Sequence, residues 1–563
     1  MRRTERRVGM IQKFKSRYRW DFWKSVTVVI LLVFILFLIY PLFSLFISGF
    51  KDPASGQWSL SNFQKFFGKR YYFGALKNSF KLTVCVTAFT VLIGTPLAYF
   101  MTTCKIRGKG LVEILIIISM MSPAFIGAYS WILLCGRSGW VTKFVESHFG
   151  IRTPSIYGFG GMLLVFTLKL YPFIYMYVSG ALKKIDVSLS EAAESLGCNG
   201  VKKVATIIVP LIMPTVFAGA LLVFMNSLAD FGTPMLIGEG YQTMPSLIYN
   251  EFVSETGGEA NFAAAMAAIM VLVTAVMFTA QKYFVNKKSF TMSSLRPIKA
   301  KQVTGIKNVL IHGFVYTVVG LAILPQLTVI YTSFLNTKRA VFLEGYSLVS
   351  YRMIFSNLGK AVRNTYVFGL AAIIVIVLLG IFIAYLSIRR KNVFTSMIDT
   401  LTMFPYIIPG SVLGITLLLA FNHKPLLLSG TPYIIIIAFI VRRLPYTLRS
   451  SAAILYQISP SMEEASISLG ASPVKTFFKV TVVMMMPGVL SGAILSWITV
   501  INELGASIIL FTGKTLTMSV AIYQEVIRAS YGTAAALATI LTMTTIISLL
   551  IFFKLSGGRD VSL

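Results

Sequence analysis

Charge is scarce in this chain, and acid scarcer still. Of 563 residues 13% are charged, with 20 Asp and Glu set against 51 Lys and Arg. Histidine occurs three times (His148, His312, His423) and cysteine four times (Cys85, Cys104, Cys135, Cys198). The histidines are scattered, and no two cysteines form a CxxC pair, so neither a zinc site nor a disulfide framework is indicated. No metal site and no cofactor are expected. A nucleotide-binding loop is missing too. Its G-x-x-x-x-G-K-[ST] pattern is approached once, at Gly513-Lys514-Thr515, but residue 508, where the upstream glycine belongs, is Ile508. Nor is there a nucleophile–base pair to support an enzyme. Any energy the protein consumes is expected from a separate protein.

Apolar residues are plentiful: 56% of the chain, with a mean hydropathy of +0.77. Runs such as VTVVILLVFILFLIY and AAIIVIVLLGIFIAYL are continuous, unlike the alternating strands of a membrane barrel. They match the roughly 20 residues that a helix rising 1.5 Å per residue needs to cross a bilayer core. The fold class expected is an all-α membrane protein of about twelve spans: 25–49, 76–102, 111–135, 157–181, 211–237, 260–281, 308–334, 364–387, 396–421, 431–455, 484–511 and 532–554. The formal charge of +31 is not spread at random. With the N-terminus inside, alternate loops collect 29 of the 51 basic residues and the opposite loops 15, which is the positive-inside pattern. A nucleic-acid protein would instead gather its charge on one face with base-reading elements, so no nucleic-acid partner is expected. The N-terminal apolar stretch is too long for a signal-peptide core and no small-residue cleavage site follows, so it is expected to stay as the first span.

The chain is a tandem repeat. ESLGCNGVKKVATIIVPLIMPTVFAGALLVFMNSLADFGTPMLI (194–237) aligns without gaps on ISLGASPVKTFFKVTVVMMMPGVLSGAILSWITVINELGASIIL (467–510), an offset of 273 residues. Further upstream NSFKLTVCVTAFTVLIGTPLAYF (78–100) lies on NTYVFGLAAIIVIVLLGIFIAYL (364–386). The division expected is a basic cytoplasmic N-terminus (1–24), a first six-helix half (25–281), a basic cytoplasmic linker (282–307), a second six-helix half (308–554) and a C-terminal tail (555–563). Six is even, so the halves are parallel repeats about an axis along the membrane normal, with both termini cytoplasmic.

Between the fourth and fifth spans of each half lies a polar cytoplasmic segment. EAAESLG ends at Gly197, a helix C-cap candidate, and a second short helix, VKKVATII, is expected to run from there into Pro210. Two such segments at symmetry-related sites suit a surface that receives two identical partners.

Glu-Ala-Ala, three residues, Gly, nine residues, then Ile-x-Leu-Pro resembles the signature of inner-membrane permeases of ABC importers. The first copy fits with Glu191, Ala192, Ala193, Gly197, Ile207 and Pro210, with Val209 standing for Leu. The second keeps Glu464, Ala465 and Gly470, with Ser466 for the second Ala and Val483 for the final Pro. The resemblance spans nearly the whole chain. It implies a multi-pass protein of a bacterial inner membrane whose two loops seat in two ATP-binding cassette subunits. With outside loops too short to capture a solute, a separate extracytoplasmic binding protein is implied as well. The fused two-half layout, RRLPYTLRS and ADFGTPMLIG are most similar to permeases of ferric-iron importers. Relatives for 2-aminoethylphosphonate, thiamine or polyamines share much of the pattern. A stand-alone secondary transporter with twelve spans in two halves is the competing class, and it needs no such loops.

Four charged residues inside the spans are pathway candidates, because charge is costly in hydrocarbon. Asp230 and Glu503 occupy matching positions near the outer ends of their spans, expected to face each other across the pseudo-two-fold axis. They either line the pathway, where carboxylate oxygens suit a hard cation such as iron(III), or cap helix ends. Lys169 and Arg442 are the second matched pair, either internal salt-bridge partners or cations reaching for the interface.

Overall fold

The computed structural model describes residues 21–555 apart from 53–54, 122–123, 199, 255–258, 288–299 and 340. The N-terminus as far as residue 20, linker residues 288–299 and the C-terminal tail from residue 556 therefore lie outside the described residues. Helix dominates the rest. Nine described helices are long and apolar enough to cross a membrane, or eleven when two bent pairs are each taken as one span. The remaining expected span, 431–455, is the helix Pro432–Gln457. Its 26 residues reach about 39 Å, and what sets it apart is three arginines, Arg442, Arg443 and Arg449.

The departures from twelve plain spans are instructive. The expected spans 211–237 and 484–511 stop early, at Ala229 and Ile501. In each case a carboxylate turns back onto the backbone that follows. Asp230 leaves the helix with φ −72° and ψ 128°, and its Oδ1 accepts the Thr233 N–H at 2.9 Å. Glu503 Oε1 accepts the Ala506 N–H at 3.2 Å. Short helices, Gly232–Ile237 and Ser507–Leu510, follow these turns. The expected spans 111–135 and 396–421 are bent. Lys109–Met121 meets the stretch Phe125–Phe149 at 102°, and Val393–Tyr406 meets Gly410–Phe421 at 112°. Non-helical backbone at membrane depth is tolerated where protein buries it or where it lines a cavity. A small antiparallel hairpin, Leu335–Lys338 with Val341–Tyr346, is the one sheet among the described residues of this otherwise helical fold.

The two halves interlock by their first helices. Phe22–Phe34, continued through a π-helical turn into Tyr40–Gly49, packs on the second half. Trp23 sits 4.5 Å from the Tyr385 ring and 4.9 Å from Phe477, and Phe37 sits 5.7 Å from Phe421. Reciprocally, Ile306–Ser333 packs on the first half, with Phe314 5.9 Å from Phe100 and the Tyr316 hydroxyl donating to the Arg107 carbonyl at 2.9 Å. Outward faces stay apolar, as at Leu92, Val276 and Ile374, all exposed. That is the arrangement lipid requires, since hydrocarbon solvates these side chains as well as a core does.

Candidate functional site

Lys169 is the eleventh residue of Phe159–Leu182, and Arg442 the eleventh of Pro432–Gln457. Ten residues at 1.5 Å put each about 15 Å along its helix, half the depth of a bilayer core and deeper than the outer-end position expected for Asp230 and Glu503. There each meets the carboxylate of its own half. Lys169 Nζ lies 3.0 Å from Asp230 Oδ2, and Arg442 pairs with Glu503 Oε1. A third cation, Arg443, pairs with Glu503 Oε2. Asp230 and Glu503 therefore do both things with the same side chains: they pair with the matched cations and cap the backbone that follows. Each carboxylate is held by its own half, and all five side chains line one cavity of about 240 Å³ together with Tyr406, Tyr446 and Asn226.

Local backbone makes room for the cluster. Gly410 opens the second arm of the bent ninth span, and a Cβ there would collide with Arg442 Nη1 and lie 2.9 Å from Glu503 Oε1. The equivalent first-half residue is Ala124, in the half whose cation is a lysine. Sequence reasoning missed both Arg443 and Gly410. Arg443 aligns on Leu170, so the matched-pair criterion passed over it, and Gly410 resembled ordinary helix punctuation.

The two polar loops form a second pair of features. Val187–Ser195 is capped by Asp186, whose carboxylate accepts the Ser188 N–H at 2.9 Å. It ends in a left-handed turn at Gly197, φ +80°. The Gly197 N–H donates to the Glu194 carbonyl at 3.0 Å and the Cys198 N–H to the Ala193 carbonyl at 2.9 Å, the paired bonds of a Schellman motif. Ser461–Ser468 ends in the same way: Gly470 has φ +88°, with bonds Gly470 to Ile467 at 2.9 Å and Ala471 to Ser466 at 3.2 Å. Ala193 is buried, whereas its partner Ser466 exchanges a hydrogen bond with Thr476 at 3.0 Å, so the hydroxyl does not go unpaired. Glu191, Ala192, Glu464 and Ala465 are exposed. The expected second helix is not separate. Residues 200–208 run straight into the fifth span through a π-helical turn, Val204–Ile208, and the second half repeats it at Phe477–Thr481. Since Val483 stands where Pro210 does, proline is not what makes that turn.

Sequence reasoning also missed the tips. Leu196 is 84% exposed and Leu469 89% exposed, each in the C-cap position of its loop helix. Their shared register in ESLG and ISLG was the available signal. The loops differ in how they are fastened. In the second, Arg389 Nε donates to Glu463 Oε1 at 3.0 Å, Arg389 Nη2 to the Ile458 carbonyl at 2.6 Å, and the Tyr385 hydroxyl to Glu463 Oε2 at 3.3 Å. In the first, the residues at those positions are Thr103 and Ser190. There Lys203 pairs with the exposed Glu194; that hydrogen bond and charge, helped by Lys301, hold the Glu194 carboxyl below its usual range.

Comparison with known proteins agrees with the two-fold layout. The family model for binding-protein-dependent transport system inner membrane components matches twice, over residues 91–290 and 376–557. The chain is 28% identical over 546 residues to the ferric transport system permease protein FbpB of Actinobacillus pleuropneumoniae, covering 95% of this chain and 78% of that protein. It is 27% identical over 504 residues to the putative ferric transport system permease protein FbpB 1 of Haemophilus influenzae, covering 87% and 78%. A putative 2-aminoethylphosphonate transport system permease protein, PhnU of Salmonella typhimurium, is 24% identical over 253 residues, which is 44% of this chain and 87% of that one. Two copies of one membrane-embedded unit, each carrying its own polar loop and its own mid-depth ion pair, are thus two copies of a family domain, and the chain belongs to the inner membrane components of binding-protein-dependent transport systems.

Proposed function

We propose that this chain is the transmembrane permease of an ATP-driven importer of iron(III), fed by an extracytoplasmic solute-binding protein. The observation that carries the substrate is the match to ferric transport permeases over 95% and 87% of this chain, long enough to span both halves. The phosphonate relatives cover less than half of the chain. Residues 25–281 and 308–554 act as the two permease halves, joined by a cytoplasmic linker, 282–307, with both termini on the cytoplasmic side. The loops at Glu191–Gly197 and Glu464–Gly470 each seat one copy of an ATPase, two copies in all. Closing of the ATPase pair would push on both loops, and through the helices that continue from them would turn the fifth span of each half. Those spans end at Asp230 and Glu503, so movement at the cytoplasmic surface is delivered to the cavity. Lys169, Asp230, Arg442 and Glu503 line the pathway in this reading. The helix continuity supports it: 200–229 and 473–501 are each unbroken from loop to cavity.

The test is reconstitution. The chain is placed in liposomes with its genomic-neighbour ATPase and binding protein, and ⁵⁵Fe(III) uptake is followed with and without ATP. ATP-dependent iron accumulation that requires the binding protein is the expected result. Uptake without the ATPase would instead favour a secondary transporter.

A further inference from the structure

The mid-depth cavity is not electrically balanced. Lys169, Arg442 and Arg443 face two carboxylates, Asp230 and Glu503. The halves contribute one acid each, but position 443 is Arg where the first half has Leu170, so the second half adds one positive charge. Both acids are already engaged. Asp230 holds Lys169 and the Thr233 N–H, and Glu503 holds two guanidiniums and the Ala506 N–H. A bare trivalent cation would therefore meet a net positive wall and no free carboxylate. A donor, by contrast, remains available. Arg443 Nε is buried without a hydrogen-bond partner among the described residues. The Tyr406 and Tyr446 hydroxyls and the Asn226 amide line the same space, hydrogen-bonded among themselves, with Asn226 Nδ2 also donating to the Leu222 carbonyl at 2.9 Å. An uncompensated charge at membrane depth is costly to keep, and a guanidinium presents a planar fork of donors that matches the oxygens of a phosphate or carboxylate.

Resting on the permease reading above, we infer that this cavity is an oxyanion site: the solute meets Arg443 as a phosphate-, phosphonate- or carboxylate-bearing species. An iron cargo would then cross with its oxyanion ligands and not as the bare ion, the anion facing Arg443 and reducing the positive charge that the cavity walls meet.

The chain, purified with its ATPase in nanodiscs, is tested for retention of ³²P-labelled inorganic phosphate and ¹⁴C-labelled citrate in the absence of binding protein. Wild type is expected to retain at least one of them. Arg443→Gln should weaken that by about tenfold or more, the effect of one lost charge-assisted hydrogen bond, and Arg443→Lys should keep most of it. Glu503→Gln should strengthen retention several-fold, because it frees both guanidiniums and raises the cavity charge. The opposite signs matter: an arginine that only supports Glu503 would move both neutral variants the same way, overturning the proposal. If Arg443→Gln does not yield folded protein, Arg443→Lys and Glu503→Gln still decide it. No retention of either anion by wild type would also overturn it. In proteoliposomes supplied with binding protein, ⁵⁵Fe and ³²P entering together identifies the anion as a ligand of the metal. Phosphate or 2-aminoethylphosphonate entering without iron identifies the anion as the solute, which removes the iron assignment and leaves the site. Iron uptake by a wild-type protein that retains no anion removes the site and leaves the iron assignment.

Discussion

The first half of the chain and the second carry the same backbone devices but fasten them with different chemistry. In the first, a single lysine holds a single aspartate in the cavity, and the cytoplasmic loop is tied by the exposed Lys203–Glu194 pair. In the second, two arginines hold one glutamate, and Arg389 ties the loop to its own half's second span through a pair whose side chains are 14% and 12% exposed. Fusion of two copies into one chain lets each diverge, since neither has to pair with its own duplicate. The result is a second half with redundant charge compensation and a stiffly mounted loop. The first half has no spare cation and a loop whose tie is exposed to solvent.

That contrast can be broken deliberately. The largest expected effect is Lys169→Met, which leaves Asp230 buried with no cation of its own half and should destabilise by about 3–5 kcal/mol. Arg442→Met should cost less, because Arg443 still pairs with Glu503. Thermal inactivation of the two purified variants in detergent checks the order, and equal losses would mean the halves are not compensated differently. Next come Gly197→Val and Gly470→Val. A β-branched residue at φ near +80° costs about 1–3 kcal/mol locally. Among the described residues, chain neighbours aside, no atom lies within 4 Å of a Cβ at either glycine, so the damage should stay in the loop turn. Membrane insertion is expected to survive while ATP-driven uptake falls; normal uptake in both would remove the loops from coupling. Third, Arg389→Ala should loosen the second loop more than Lys203→Ala loosens the first. Cys198 and a cysteine introduced at the equivalent Ala471 give matched spin-label sites, in a background without the other cysteines. The label at 198 is expected to be the more mobile in the parent protein, and Arg389→Ala should bring 471 up to it. The smallest effect is acidification. The Glu194 carboxyl is held below its usual range, so its contribution is full above the ordinary glutamate value. It fades only as pH falls through the lowered one. Label mobility at 198 should therefore be flat from pH 7 to about 5 and rise below that.

Much of this was legible in the sequence. Hydrophobic run length found the spans, because a bilayer demands length and apolarity of every helix. The duplicated ESLG and ISLG register found the loops, and Gly197 was read as a helix end; its counterpart Gly470 ends a helix in the same way, since only glycine takes φ near +80° without strain. The matched acids and bases were found by alignment, and they do meet. What remained hidden depended on three-dimensional closure. That Asp230 and Glu503 end their helices by capping the next turn is a tertiary choice, invisible in a run that stays apolar to residue 237. The bends in the third and ninth spans are allowed by a cavity that no local pattern announces. Arg443 was passed over because it has no counterpart, yet it is the residue that makes the halves unequal.

The most direct measurement concerns the loops as seats for the ATPase. Leu196 and Leu469 stand almost fully exposed at matched tips, and burying such a side chain in a partner's groove contributes about 1.5–3 kcal/mol. The complex is purified through a tag on the permease, and the ATPase copies it retains are counted by native mass spectrometry. Two copies are predicted for the parent, a reduced occupancy for Leu196→Glu or Leu469→Glu alone, and none for the double variant, with the permease itself still inserted and monodisperse. Two ATPase copies retained by the double variant would contradict the account.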